Sequence, residues 1–218
     1  MSTLAVLVGT CNPSKSKELI DMLLPFSEIT PVTPWEIGKE NVDIRENEES
    51  IRGNAIAKAT AWAHIAHMPA LAEDSGLLFP ELPADHPDQP GQYVRRYHGK
   101  RLSDDEMLTH YIDIVRRHGG ELTACWINCW CVAADDIHGT VYENRSRSFV
   151  LRTTACTKRH PGWPLDSISY FPEAGKYLVE MGHNELNCME EQEERKENRK
   201  AWFRQSLALL IDDKLPAF

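Results

Sequence analysis

Two carboxylates, a hydroxyl and a glycine follow one another where an apolar run of the chain ends. The run is Leu71-Ala72, and the polar group is Glu73-Asp74-Ser75-Gly76. A short buried strand that ends in carboxylates can hold a divalent cation or a catalytic base at the edge of a cleft. Because Asp-Ser-Gly is also favourable in a plain turn, this stretch alone leaves both interpretations open.

A second group of residues, near the N-terminus, is typical of an anion-binding loop. The apolar run from Leu4 to Val8 predicts a buried strand, and a helical pattern follows Asn12-Pro13, which are favourable at the N-cap and the first helical position. Lys15 falls in the first turn, where a cation opposes the helix dipole. Its presence therefore favours a bound phosphate-type anion, and a solvated helix end is the alternative.

A third group lies in a helical pattern over residues 47–67. Glu46, Ser50, Asn54 and Lys58 recur every four residues, so on a helix they form one polar stripe. A solvent-exposed face explains such a stripe equally well. Lys58, however, is the only lysine in this segment and lies among alanines, which favours a charge directed at a site.

The remaining segments predict elements that position these groups. We expect one short strand within 25–41, a helix capped by Ser103 with Glu106, and a rigid loop over 160–167. Strands over 122–134 and 140–152 form a hairpin whose turn contains Asp135 and Asp136. A last helix starts near Asn187 and Glu190 and runs to about Asp212.

The overall composition excludes several classes of protein. The 218 residues carry a net charge of −9, which argues against a broad nucleic-acid or membrane surface. No signal sequence or stretch of transmembrane length is present, so we expect a cytoplasmic protein that does not associate with membranes. The six cysteines contain no Cys-x-x-Cys pair, which makes structural zinc unfavourable and reduced thiols the better interpretation.

Five segments, in order along nearly the whole chain, resemble the Ham1 family of inosine/xanthosine triphosphate pyrophosphatases. They are similar to the family patterns T-x-N-x-x-K, N-A-x-x-K-A, A-D-D-S-G-L, P-G-x-Y-S-A-R-Y and G-F-G-Y-D. The matching segments here are Thr10 to Lys15, Asn54 to Ala59, Ala72 to Leu77, Pro90 to Tyr97 and Gly162 to Asp166. Glu46 stands where the family has a metal-binding glutamate.

The resemblance implies an α/β fold and an activity. The expected fold is an elongated mixed β-sheet flanked by helices, forming one two-lobed domain over residues 1–218 with a central nucleotide-binding cleft, and usually a homodimer. The expected reaction is hydrolysis of a nucleoside triphosphate to the monophosphate and pyrophosphate, with Mg²⁺, or Mn²⁺, as cofactor. Mg²⁺ takes one or two carboxylates together with phosphate oxygens and waters, which suits an acidic cluster beside lysines.

The resemblance also implies a role for each candidate residue. Asp74, Lys15 and Lys58 are expected to be catalytic, and Glu46, Glu73 and Asp74 to bind the metal. Phosphate contacts are expected from Thr10, Asn12, Ser75, Gly76 and one of Arg95 or Arg96. The base is expected to stack on Trp163 and to meet Asp166, Asn198 and Arg199 at its polar edge.

The departures from the family patterns concern the base more than the phosphates. Glu197-Asn198-Arg199 replaces the family's S-H-R, and Pro164 and Leu165 replace a glycine and a tyrosine. We therefore expect a divergent member with an altered base preference. Glu197 accepts hydrogen bonds when ionised, which would favour a base that carries an amino group. The alternatives are a Maf-like pyrophosphatase acting on another base and a non-catalytic nucleotide sensor.

Overall fold

The structure, a computed structural model, describes residues 3–182 and 193–217, with the backbone alone for residues 193–196. The four helices of these residues are α1 (Pro13–Leu23), α2 (Ile51–Ala66), α3 (Asp104–Arg117) and α4 (Glu193–Ile211), and two short 3-10 helices cover Pro164–Ser167 and Leu178–Glu180. The strands are β1 (Leu4–Val8), β2 (Ile29–Val32), β3 (Ala70–Leu78), β4 (Arg96–Tyr97), β5 (Lys100–Arg101), β6 (Glu121–Ala133), β7 (Gly139–Arg145), β8 (Phe149–Arg152), β9 (Ser169–Phe171) and β10 (Lys176–Tyr177).

Eight of these strands form one mixed sheet. Its order is β10-β9-β8-β6-β3-β1-β2, with β7 paired to β6, while β4 and β5 form a separate two-stranded sheet. β1 runs parallel to both β2 and β3, whereas β8 is antiparallel to β6 and β9. The architecture confirms the predicted α/β fold, a mixed sheet flanked by helices.

The described residues divide into two compact units. The first unit takes its residues from Met1–Ser75, Asn128–Asn144 and Arg195–Phe218, and the second from Gly76–Ile127 and Arg145–Glu194. Three strands, β3, β6 and β7, contribute residues to both units. Among the described residues, no helix is both long enough and apolar enough to cross a membrane.

The first unit buries apolar side chains on both faces of its strands, because successive strand residues point to opposite faces. One face buries α1 and α4, and its core consists of Val6, Val8, Leu19, Leu23, Ile29, Leu71, Trp130, Val132, Phe203 and Leu207. The alternate residues of β3 and β6 meet α2 through Ala55, Ala59, Ala72, Cys129 and Cys131. Gly9 permits this close approach, since a Cβ there would lie 2.9 Å from Cδ1 of Trp62.

The second unit has its own core around α3. The Ser103–Glu106 capping box starts this helix as predicted, and Phe79, Met107, Ile114 and Phe149 are among the residues buried with it. Tyr111, which is 1% exposed, donates its hydroxyl to the carbonyl oxygen of Val94 at 3.0 Å. Each unit therefore has its own buried apolar core, and the helices and strands packed around that core position the polar residues near it.

Three expectations about local structure were wrong. Asp74, Ser75 and Gly76 neither end the strand nor form the alternative turn, but lie inside the continuous strand β3. The predicted helix over 47–67 begins only at Ile51, because the hydroxyl of Ser50 accepts the N–H of Gly53 and caps it, so Glu46 precedes the helix. The strand predicted over 140–152 is interrupted at 146–148, where the N–H of Ser146 bonds to the carbonyl oxygen of Trp126.

Other local predictions were confirmed. β1, β2 and the Asn12 cap of α1 lie where the sequence placed them. The Asp135 carboxylate accepts the N–H groups of Ile137 and His138 at 2.7 Å, as a turn residue does. The predicted start of the last helix, at Asn187 and Glu190, lies outside the described residues.

In the second unit, Asp88 joins the loop that follows β3 to the end of α3. Its carboxylate lies 2.5 Å from the guanidinium of Arg117 and 2.9 Å from Nε2 of His118. The hydrogen bonds from Arg117 lower the pKa of Asp88, with a further contribution from His118. The ionised carboxylate therefore stabilises the folded state.

We expect Asp88→Asn to lower the free energy of unfolding by about 1 kcal/mol at pH 7. A pKa that is lower in the folded than in the unfolded state contributes stability above the unfolded pKa, and this contribution is lost as the pH falls through the folded pKa. The difference between variant and parent should therefore shrink below about pH 4. Urea denaturation at several pH values measures it, with Asp85→Asn, an exposed change in the same loop, as the control. A difference that does not depend on pH would contradict the interpretation.

Candidate functional site

The ammonium group of Lys58 lies at the centre of a buried polar cluster in the first unit. Its Nζ is 2.6 Å from Oε1 of Glu46, 3.0 Å from the carbonyl oxygen of Glu73 and 3.4 Å from Oδ1 of Asp74. The side chains of Lys58 and Asp74 are 11% and 10% exposed. Helix α2 therefore brings one cation to two carboxylates, one from strand β3 and one from the segment before the helix.

Asn54 shapes the segment that precedes α2. It is 3% exposed, and its Oδ1 accepts the N–H of Glu48 at 3.1 Å. This bond and the Ser50 cap fix the backbone on both sides of residue 49. The four-residue spacing predicted one polar stripe along a helix; Glu46 instead precedes the helix, and its carboxylate contacts Lys58 directly.

Lys15 reaches the same strand from α1. Its Nζ donates to Oγ of Ser75 at 3.1 Å. The side chain of Asn12 accepts the N–H groups of Ser14 and Lys15, and Oγ1 of Thr10 accepts the N–H of Asn12 at 3.1 Å. Thr10 and Asn12 therefore act as local turn and cap residues that direct Lys15 towards β3.

The charges of this cluster depend on one another. Burial raises the pKa of the Asp74 carboxyl above its usual range, although the nearby Lys58 acts in the opposite direction. Burial by itself would lower the pKa of Lys15, but the carboxylates of Glu73 and Asp74 outweigh it and the pKa is raised. Lys15 is therefore a cation at neutral pH, and Asp74 is a more basic carboxylate than an exposed aspartate.

One oxygen of the cluster has no partner in the described part of the chain. Oδ2 of Asp74 is buried and accepts no hydrogen bond there. A buried carboxylate oxygen without a partner costs free energy unless a ligand, a water or a cation meets it. Asp74 therefore has one oxygen held near Lys58 and one available for chemistry.

The donor set fits a divalent cation bound by few protein ligands. Glu46, Glu73 and Asp74 do not bring one ligand atom each to within 4.8 Å of one another; among the described residues only His86, Asp88 and His118 do so. In that group the guanidinium of Arg117 pairs with Asp88, just as Lys58 pairs with Glu46. Since Mg²⁺ usually takes one or two carboxylates and completes its shell with phosphate oxygens and waters, Glu46 and Asp74 suffice.

In the second unit, the candidate Arg95 has polar partners within the protein. Arg95 donates to Oδ1 of Asp104 at 2.7 Å and to the carbonyl oxygen of Gly162 at 2.8 Å. Arg96 lies in β4. The carboxylate and the carbonyl oxygen that engage the guanidinium of Arg95 count against a phosphate contact from Arg95.

Trp163 and Asp166 lie on one short loop of the second unit. Trp163 precedes the 3-10 helix Pro164–Ser167 and is partly buried. Asp166 lies 2.9 Å from Nδ1 of His160, and burial raises the pKa of its carboxyl although His160 acts in the opposite direction.

Gly76, another candidate for a phosphate contact, is buried in β3 and follows Ser75 in the chain.

The candidate base-reading residues of α4 have other contacts. The guanidinium of Arg199 lies over the ring of Trp130, 4.9 Å from its centroid. Glu197 is exposed and bonds to Nζ of Lys200 at 2.7 Å, and Asn198 is exposed. Glu197 is therefore paired with a lysine of its own helix, and Arg199 lies against Trp130.

Sequence reasoning missed Asp104 and His160 as partners of the candidate site residues. Asp104 follows the Ser103 cap in the first turn of α3, where an acidic residue is already explained by the helix dipole. His160 is six residues from Asp166, a spacing that carries no signal in a loop. Only the folded chain brings these groups together.

Comparison with known proteins identifies the family of this chain. A model of the Ham1 family matches residues 6–194. The chain is 32% identical over 181 residues to the dITP/XTP pyrophosphatase of Thermus thermophilus, covering 83% of this chain and 82% of that protein. It is 29% identical over 187 residues to the dITP/XTP pyrophosphatase of Photorhabdus laumondii, covering 84% and 90%.

Solved structures show the same fold. A HAM1 protein from Coxiella burnetii superimposes with a TM-score of 0.72 at 22% identity, covering 95% of this chain and 98% of that one. The Staphylococcus aureus Ham1 protein gives a TM-score of 0.71 at 18% identity, covering 92% and 98%. With a family match over most of its length, relatives of similar length and the expected fold, the chain belongs to the Ham1 family.

Proposed function

We propose that the protein hydrolyses a nucleoside triphosphate to the nucleoside monophosphate and pyrophosphate. The observation that supports this most strongly is the convergence of Lys15, Lys58 and Asp74 within the first unit, where two ammonium groups lie beside a buried carboxylate. The names of the relatives, dITP/XTP pyrophosphatases, support the same activity. The finer proposal is a purine triphosphate with an altered base as substrate, and a homodimer as the working state.

The two lysines are suited to a polyphosphate. Hydrolysis of a triphosphate depends on positioning and on neutralising the charge that develops on phosphoryl oxygens. Lys58 is fixed by three oxygen contacts and Lys15 by one, so both ammonium groups are oriented before the substrate binds. In this proposal Thr10, Asn12, Ser75, Gly76 and Arg96 add backbone and side-chain donors around the phosphates.

Asp74 is suited to activate the attacking water. Its Oδ2 can accept a proton from a water whose oxygen forms a bond to the α-phosphorus as the bond to the bridging oxygen of pyrophosphate breaks. The raised pKa makes the carboxylate a stronger base, and the nearby ammonium group of Lys58 keeps it ionised. Asp74 thereby takes the proton, and the leaving pyrophosphate takes the electron pair.

Mg²⁺, or Mn²⁺, belongs to this proposal as the cofactor. Glu46 and Asp74 would hold it, with Glu73 nearby, and the ion would supply positive charge to the phosphate oxygens. Carboxylate oxygens are the ligand type that Mg²⁺ prefers, which supports this assignment. Trp163 would stack on the base, while Asp166, Asn198 and Arg199 would meet its polar edge.

A pyrophosphate-release assay tests the proposal. We expect release to require a divalent cation and an altered purine triphosphate, with EDTA abolishing it. The panel should include ITP, XTP and their deoxy forms, the four standard ribonucleoside triphosphates, and purines that carry extra amino groups. Detection of the monophosphate by chromatography distinguishes this reaction from stepwise loss of single phosphates.

Two results would contradict the proposal. Tight binding of the panel nucleotides without pyrophosphate release would indicate a non-catalytic sensor. Release confined to pyrimidine triphosphates would favour the Maf-like alternative. A strict preference for oxo-purines would exclude a base-reading role for Glu197, whose ion pair with Lys200 already weighs against that role.

A further inference from the structure

The loop that carries Trp163 is attached to α3 by a closed ring of hydrogen bonds. Arg95 donates to Oδ1 of Asp104 at 2.7 Å and to the carbonyl oxygen of Gly162 at 2.8 Å. The N–H of Gly162 donates to Oδ2 of Asp104 at 2.7 Å. The N–H and the carbonyl oxygen of Gly162 are therefore both hydrogen-bonded to the Arg95–Asp104 ion pair. All three residues belong to the second unit.

This ring fixes the backbone immediately before Trp163. Gly162 has a φ of +84°, in the region that favours glycine, so the chain turns there in a conformation that other residues rarely adopt. The bonds to Arg95 and Gly162 lower the pKa of Asp104, which is therefore ionised at neutral pH. Charge-assisted hydrogen bonds with two points of contact hold both distance and orientation.

Contacts within the loop hold its other end. The N–H of Trp163 bonds to the carbonyl oxygen of His160 at 3.0 Å, and His160 pairs with Asp166 at 2.9 Å. The hydroxyl of Ser167 donates to the carbonyl oxygen of Pro164 at 2.8 Å, and the side chains of Pro164 and Leu165 are buried. The half-buried indole of Trp163 is thus attached to a backbone that is fixed on both sides.

We propose that Arg95 and Asp104 are positioning residues that hold the Trp163 loop ready for the base. This inference rests on the proposed function, in which Trp163 stacks on the base. Fixing the loop in advance removes the entropy cost of ordering it when the nucleotide binds. Arg95 acts through Gly162 and Trp163 and does not contact phosphate, although its charge and its place beside Arg96 first make it a phosphate candidate.

The two roles for Arg95 differ in what they predict for a ligand without a base. A phosphate-binding arginine would bind inorganic tripolyphosphate as well as the nucleotide. A positioning arginine affects only the nucleotide, because tripolyphosphate does not contact the loop. The inhibition constant of tripolyphosphate, measured beside the KM of the best substrate of the full-length enzyme, therefore separates them.

We expect Arg95→Ala and Asp104→Asn each to raise the KM of the nucleotide roughly 10-fold, with kcat changed less than about twofold. The inhibition constant of tripolyphosphate should stay unchanged. The KM of the double variant should be about the same as that of either single variant, because either change opens the same ring. The KM of Arg95→Lys should lie between those of the parent and of Arg95→Ala, since an ammonium group keeps the charge but lacks the two-point geometry.

Matched controls and a second readout separate positioning from a loss of stability. Arg101→Ala is the control for Arg95→Ala, and Asp105→Asn is the control for Asp104→Asn. Each removes an exposed charge of the matching sign from the same unit and should leave KM unchanged. Trypsin cleavage after the exposed Lys158 and Arg159, followed by mass spectrometry, reports loop opening without any nucleotide. This cleavage should be faster in Arg95→Ala than in Arg101→Ala when the two variants have the same Tm.

An unchanged KM in Arg95→Ala, where Trp163→Ala raises KM, would overturn the inference. A parallel rise in the inhibition constant of tripolyphosphate would overturn it too, because Arg95 would then be a phosphate ligand. If Trp163→Ala itself leaves KM unchanged, the proposed base contact is wrong. In that case the cleavage rate alone decides whether Arg95 and Asp104 hold the loop.

Discussion

Asp74→Asn is expected to lower kcat by at least about 10²-fold while the enzyme still binds its nucleotide. Asparagine keeps the shape of the side chain and an acceptor oxygen, but it cannot take a proton from water. The effect should be large because Oδ2 of Asp74 is buried and has no other hydrogen-bond partner in the described residues. Steady-state pyrophosphate release measures kcat, and equilibrium titration with the same nucleotide measures binding.

Asp136→Asn provides the matched control for this prediction. Asp136 belongs to the same unit, is exposed in the hairpin turn and undergoes the same chemical change. The control variant should retain the parent kcat. An Asp74→Asn enzyme that turns over at the parent rate would show that another group activates the water, and the mechanism proposed for Asp74 would be wrong.

The meeting of Asp74 with the N-terminal lysine follows from the order of parallel strands. β1 and β3 are parallel neighbours, with Val8 opposite Leu71, so the loop after β1 lies beside the polar residues of β3. The sequence predicted each of these strands and the Asn12 cap from local pattern alone. It could not predict the Lys15–Ser75 bond from spacing, because these residues are separated by 60 positions and joined only through the sheet.

The second unit shows where local reasoning reaches its limit. A glycine followed by tryptophan and proline predicts a rigid loop, and the structure has one. What holds that loop is an arginine from before β4 and an aspartate from the first turn of α3, and each has an adequate local explanation without the other. The sequence pattern shows which helix, strand or loop a residue belongs to. It does not show which residue of a distant element that residue contacts.

Lys58→Met is expected to have the largest effect on stability. Methionine is similar in length to lysine but removes the ammonium group that lies between Glu46 and Asp74, which leaves two partly or fully buried carboxylates without their cation. Breaking a buried ion pair from one side costs about 3 kcal/mol or more. Urea denaturation at pH 7 without divalent cations measures the loss, with Lys17→Met, an exposed lysine of α1, as the control.

The same variant tests whether the cluster binds a divalent cation. Once Lys58 is absent, Glu46 and Asp74 lose the cation that contacts both of them, so their affinity for Mg²⁺ should rise. A ligand that binds only the folded state stabilises it in proportion to the logarithm of its concentration over Kd. Mg²⁺ should therefore raise the Tm of Lys58→Met more than that of the parent protein or of Lys17→Met. Equal shifts in all three proteins would place the metal elsewhere, and parent-like stability of Lys58→Met without Mg²⁺ would show that water already reaches these carboxylates.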